Sequence, residues 1–249
     1  MKGTAPLVEL NRCYENQMAG IGSRDDASPI IRGNECYENV MAGIGSDGSS
    51  PLIVDNTCRE NLMAGIGLRN KATAMIVRNR CVENKLVAIG VTLESTATIA
   101  DNDLKRTGGL PPMIAVKDQS KATIVNNRID GGGVAAVLVQ GTATIDSNHF
   151  GSNHPKQGNA VWVWDGSTVT VSANDFQGYR SAVKGAKSDF RILGNSIRRF
   201  GNVAIDISDG GATSVVFGNK AFTKDQNAVV YRIKPATGNV SGNEPILQK

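Results

Sequence analysis

The sequence predicts an all-β solenoid, one body of stacked coils in which each coil carries three short parallel strands. An asparagine recurs eleven times at intervals of 21 to 26 residues, at Asn11, Asn34, Asn56, Asn79, Asn102, Asn127, Asn148, Asn174, Asn195, Asn219 and Asn243. A fixed period of that size marks a repeat architecture, in which each unit buries its apolar face against the next. Between the asparagines, apolar residues alternate in short runs such as Val161-Trp-Val-Trp164 and Thr168-Val-Thr-Val171. That is the period of a strand with one buried face, not the three-and-four spacing of a helix.

Each copy divides into the same three pieces. A strand ends two or three residues before the asparagine, a short piece carries an apolar residue two positions after it, and a longer strand follows at the level of Gly-Ile-Gly. Three strands per coil of about 23 residues make a parallel β-helix, here of ten to eleven coils. The first four copies are nearly literal: Asn34-Glu-Cys-Tyr-Glu-Asn39 leads to Met41-Ala-Gly-Ile-Gly45, and the segments from Asn11, Asn56 and Asn79 repeat it closely.

The residue two after each asparagine reads Cys13, Cys36, Cys58, Cys81, Leu104, Ile129, Phe150, Phe176, Ile197 and Ala221, a column expected to point inward. Cysteine in a column shared with leucine and phenylalanine acts as a small hydrophobe, so a ladder of reduced, buried thiols is expected. The asparagines are expected at a bend, in the left-handed conformation they tolerate, with amides stacked along the axis about 4.8 Å apart. The glycines around Ile21, Ile44 and Ile66 are expected to permit close backbone stacking.

Asn34, Cys36, Asn39, Gly43 and Ile44, with their counterparts from Leu10 to about Asn243, resemble the right-handed parallel β-helix superfamily of pectate-lyase-like, carbohydrate-binding and sugar-hydrolase proteins. The resemblance implies a right-handed β-helix, and the unbroken repeat argues for a single domain over 1–249, with regular coils in 1–103 and divergent coils with loop insertions in 104–249. The matching residues build the coil and specify no activity.

A net charge of +4 and a pI near 8.9 suit an acidic partner but fall short of a nucleic-acid-binding composition, and no nucleic-acid motif occurs. No apolar run is long enough to span a bilayer, and Met1-Lys-Gly-Thr-Ala-Pro6 is not a signal peptide. The chain enters the repeat almost at once, without an amphipathic cap. It is therefore read as a segment of a longer, exported protein, extracellular, cell-surface or periplasmic, with raw ends open to end-to-end self-association through strand edges.

Function is sought where the repeat loosens. Insertions at Lys105–Pro112 and Gly151–Gly158 precede the strand that carries Gly-Ile-Gly in the early copies. Alignment of that strand through Val116, Val137, Val161, Val183 and Ile205 puts Lys117, Leu138, Trp162, Lys184 and Asp206 in one outward column, where the early copies have Gly22, Gly45, Gly67 and Gly90. A second column reads Gln119, Gln140, Trp164, Ala186, Ser208 and Arg232. The preceding loops add His154 and Lys156, then Tyr179 and Arg180, then Arg198 and Arg199. Aromatic rings that stack on sugar faces, flanked by cations for carboxylate or sulfate, point to an anionic polysaccharide as partner. The expected ligand-binding residues are Trp162, Trp164, Lys184, Asp206, Tyr179, Arg180, His154 and Arg198. The other reading of Trp162 and Trp164 is a satellite core under loops, and of Lys184 with Asp206 an ordinary cross-strand ion pair.

Resemblance to β-helix lyases would make Lys184 a base, with Arg180 or Arg198 neutralising the substrate carboxylate. The paired aspartates of polygalacturonase-like enzymes, the pectate-lyase Asp-His segment and the Asp-Pro-His-Asp of alginate epimerases are all missing, so the balance leans away from an enzyme. No cofactor is expected. Asp25-Asp26, Asp47-Gly48 and Asp209-Gly210 would suit Ca2+, but turn chemistry accounts for them without a metal. The remaining alternative is a structural spacer of a larger surface protein, to which the near-identical early copies point.

Overall fold

The computed structural model describes residues 3–154, 156–224, 230–234 and 239–247. Its strands form three parallel sheets that run the length of the chain, and every strand pairs with its counterparts one coil before and after. The first sheet runs from Leu7–Glu9 to Asn239–Ser241, the second from Arg12–Tyr14 to Glu244–Leu247, and the third from Ile21–Arg24 to Tyr231–Lys234. No helix among the described residues is long and apolar enough to cross a membrane.

Register puts like on like. In the first sheet Ile31, Ile53, Ile76, Ile99, Ile124 and Ile145 stack through successive pairings, all with no exposed surface. The third sheet stacks Ile44, Ile66, Ile89, Ile114, Val137 and Val161 in the same way. The second supplies the column that begins with cysteines and continues through Leu104 and Ile129 to Phe150 and Phe176, whose rings stack 4.7 Å apart. All four cysteines are free thiols, and Cys36, Cys58 and Cys81 are buried. Hydrogen bonding with the thiols of Cys36 and Cys81, together with burial, pushes the Cys58 thiol well above its ordinary range.

The asparagine ladder is continuous from Asn11 to Asn243. In one step Asn34 Nδ2 donates to Asn56 Oδ1 at 2.9 Å and to the carbonyls of Val8 and Arg32, while its backbone N–H donates to the same Oδ1. Each buried amide thereby satisfies groups in three coils, as a buried polar ladder must. The left-handed residue is not the asparagine. It is the one before, such as Asp55 at φ 56° or Arg78 at φ 53°, and the asparagine has already returned toward the next strand. A second ladder, unforeseen in the sequence, runs through Asn16, Asn39, Asn61 and Asn84 at the next corner, again with a left-handed residue ahead of each. It ends at Arg106, whose buried guanidinium donates to the Leu86 carbonyl at 3.1 Å and to that of Pro111.

The glycines divide into two kinds. A Cβ at Gly65 would lie 2.7 Å from the Ala88 carbonyl oxygen and 2.9 Å from Asn84 Nδ2, so the ladder and the next coil require glycine there. A Cβ at Gly67 would meet only the Ala64 methyl, at 3.7 Å. Close stacking therefore explains Gly20, Gly43 and Gly65 but not the outward column Gly22, Gly45, Gly67 and Gly90.

Candidate functional site

The outer face of the third sheet carries the tryptophans. Pairing in parallel register makes its first outward column Gly22, Gly45, Gly67, Gly90, Ala115, Leu138, Trp162, Lys184, Asp206 and Arg232. Two assignments made from sequence shift by two residues along the strand, from one outward column to the other. The insertion Lys105–Pro112 moves Ile114, not Val116, opposite Val137, so Ala115 takes the place expected for Lys117. Lys117 falls beside Gln140 and Trp164 in the second column, and Arg232 falls beside Asp206 in the first. Gln119 leaves the sheet altogether, in a left-handed corner with Asp118.

Trp162 and Trp164 meet edge to face, with ring centroids 5.9 Å apart and planes at 71°, a favourable arrangement for two aromatic quadrupoles. Trp162 is half-buried and Trp164 is 38% exposed, so neither is covered by loops as a satellite core. They form one wall of an open depression of about 430 Å³ completed by Gln140, Lys184, Asp206 and Ser208.

The charges in this depression are unequally committed. Asp206 accepts two hydrogen bonds from Arg232, with Nε 2.7 Å from Oδ1, and this contact holds its carboxyl below the usual carboxylate range. Arg232, and not Lys184, is therefore its ion-pair partner. Asp165 lies 3.7 Å from Lys187. Lys184 sits between Trp162 and Asp206 in the column and forms no ion pair among the described residues. Arg180 is exposed at the start of the same strand, Tyr179–Ala186, and its charge helps to hold the Asp206 carboxyl low.

The other three expected residues lie elsewhere. Tyr179 is 2% exposed and its hydroxyl donates to the carbonyls of Gly131 and Gly151 at 2.7 and 2.9 Å, so it pins two coils together and burial pushes its phenol far up. His154 Nε2 lies 3.0 Å from the Thr107 carbonyl oxygen, where the two inserted loops touch. Arg198 is on the second sheet, ion-paired with Asp175 at 3.1 Å and with its guanidinium carbon 5.2 Å from the Phe222 ring centroid.

The regular half of this face is furnished as well. The glycine column floors a trough of about 510 Å³ between Met18, Met41, Met63 and Leu86 on one side and Arg24, Asp47 and Arg69 on the other. The repeated Met-Ala-Gly-Ile-Gly was the signal for it, since a residue ahead of a glycine floor must become its wall. Among the described residues no three His, Cys, Asp or Glu side chains gather as a metal site.

A family model described as right handed beta helix region matches residues 1–104, 46–176 and 112–243, overlapping segments that together span nearly all of the chain, and the chain belongs to this family. No curated protein matches it.

Proposed function

We propose that this β-helix is a carbohydrate-interacting module that holds an acidic polysaccharide on the outer face of its third sheet, in the C-terminal half. The observation that carries the reading is the pair of accessible indoles beside Lys184, which forms no ion pair among the described residues. Sugar rings offer apolar C–H faces that stack on indoles and hydroxyls that need partners, which Gln140, Ser208 and Asp165 supply around the depression. Lys184 is left to meet a carboxylate or sulfate, because Asp206 is already engaged by Arg232.

A spacer role is the second reading. It is favoured by the doubled asparagine ladder of the first four coils, which stiffens that half without bringing in reactive side chains.

The test is an array of neutral and anionic glycans probed with the intact chain, followed by tryptophan fluorescence titration of the best binder. Anionic glycans should quench or shift the emission, and Trp162→Ala and Lys184→Ala should each weaken binding about fivefold or more. Arg24→Ala should leave it alone. Silence across the array would leave the spacer reading standing.

A further inference from the structure

We propose that the second sheet carries a separate groove for a linear polyanion, on a different face from the tryptophans. The groove, of about 1250 Å³, lies between the outward column of that sheet and the loops leading to the third. Five cations line it, Lys105, Arg128, Lys156, Arg199 and Lys224, against one carboxylate, Asp130. That excess of four charges equals the formal net charge of the entire chain, +4, so the rest of the protein is close to neutral and the basicity is concentrated here.

Pairing explains both charge and shape. Asp130 is occupied by Arg128 at 2.7 Å, while Lys105, Lys156, Arg199 and Lys224 are exposed and form no ion pair among the described residues. The outward column through the groove reads Lys105, Asp130, Gly151, Gln177, Arg198 and Phe222, one residue per coil. Gly151 adds no side chain to the floor, so the Asp130 carboxylate of the preceding coil leans over it, 2.6 Å from where a Cβ would lie, and the loops at Ser152 and Arg199 rise beside it as a wall. Five inter-coil steps of about 4.8 Å make a track about 24 Å long with cations spread along it. A small anion would use one or two of these charges. A chain with anionic groups at regular intervals uses several at once, and Lys105, Lys156, Arg199 and Lys224 cost little to engage because none has to leave an ion pair among the described residues.

The occupant that fits is an anionic polysaccharide, either sulfated or built of uronic acids. The test is calorimetric titration of the intact chain with a heparin-derived sulfated octasaccharide, with a galacturonate octamer, and with a single-stranded oligonucleotide of matched charge, each at low and at physiological salt. At least one octasaccharide should bind, more weakly as salt rises. Lys156→Glu combined with Arg199→Glu should reduce that affinity about tenfold or more, with an unchanged melting temperature, and the milder Lys105→Gln should reduce it in the same direction. Because the groove contains no tryptophan, Trp162→Ala should leave this binding intact, which separates it from the third-sheet site. Loss of binding in Trp162→Ala with full retention in the groove variants would overturn the proposal. So would failure of both octasaccharides at low salt, or preference for the oligonucleotide.

Discussion

The ammonium of Lys117 lies 5.9 Å from the centroid of the Trp164 ring, although Gln140 stands between the two residues in the column. A lysine reaching over one full rung is possible because its four-carbon stem can lie along the sheet while its charge seeks the indole face. A contact of this kind contributes about 0.5–1 kcal/mol at an exposed site. Lys117→Ala should therefore loosen Trp164, seen as stronger acrylamide quenching of its fluorescence, and should weaken binding of an anionic oligosaccharide about twofold to fivefold. Equal quenching in both proteins would remove Lys117 from the site.

Acid should expose the Asp206–Arg232 pair. Hydrogen bonding from Arg232, then its charge and those of Lys184 and Arg180, outweigh partial burial and keep the Asp206 carboxyl below its ordinary value of 3.8. A carboxylate depressed on folding contributes stability that is complete above its unfolded pKa and is lost as pH falls through the folded one. Asp206→Asn lacks that contribution, so its melting temperature should fall less steeply than that of the native chain between about pH 4 and pH 2. Parallel curves would show that the pair adds nothing to folding.

Two glycines on either side of Ile66 should respond oppositely to the same methyl group. Gly65→Ala drives a Cβ into the Ala88 carbonyl, Asn84 and Cys81, and should destabilise by about 1–3 kcal/mol. Gly67→Ala points into the trough with no close contact and should be neutral or stabilising by about 0.4–1 kcal/mol. Urea denaturation of the two variants decides, and equal destabilisation would mean that the outward glycines also serve stacking.

Asn61→Ala should be among the costliest single changes in the regular half. The amide of Asn61 donates to Asn84 Oδ1 at 2.8 Å and to the Cys36 carbonyl at 3.1 Å, and its oxygen accepts from both nitrogens of Asn39. Removing it strands several buried groups at once, at about 3 kcal/mol or more. A loss below about 1 kcal/mol in denaturant titration would show that water replaces the rung.

Native thiol labelling checks the cysteine column. Cys36, Cys58 and Cys81 are buried and should resist a thiol reagent until the chain unfolds, with only the partly exposed Cys13 reacting early. Cys36→Ser should destabilise by about 1–3 kcal/mol, since a hydroxyl enters an apolar column.

The sequence by itself determined the coil: its three strands, its inward isoleucine and cysteine columns, and the long asparagine ladder. Strand alternation is a local property, so past each corner a side chain's parity selects inside or outside, although Gly65 and Gly67, two positions apart in one strand, face opposite ways across such a corner. The same parity placed Trp162, Trp164, Lys184 and Asp206 on one outer face. Tertiary structure decided what parity leaves open. Register across an insertion depends on the path of the inserted loop, and Lys105–Pro112 moved Lys117 two residues along the strand, from the first outward column to the second. Three residues in the loops or at their edges were settled by contacts from coils distant in sequence: Tyr179 by the carbonyls of Gly131 and Gly151, His154 by Thr107, and Arg198 by Asp175. The second-sheet groove likewise exists only as a sum, because Lys105, Arg128, Lys156, Arg199 and Lys224 belong to five different coils and become neighbours only when the stack aligns them.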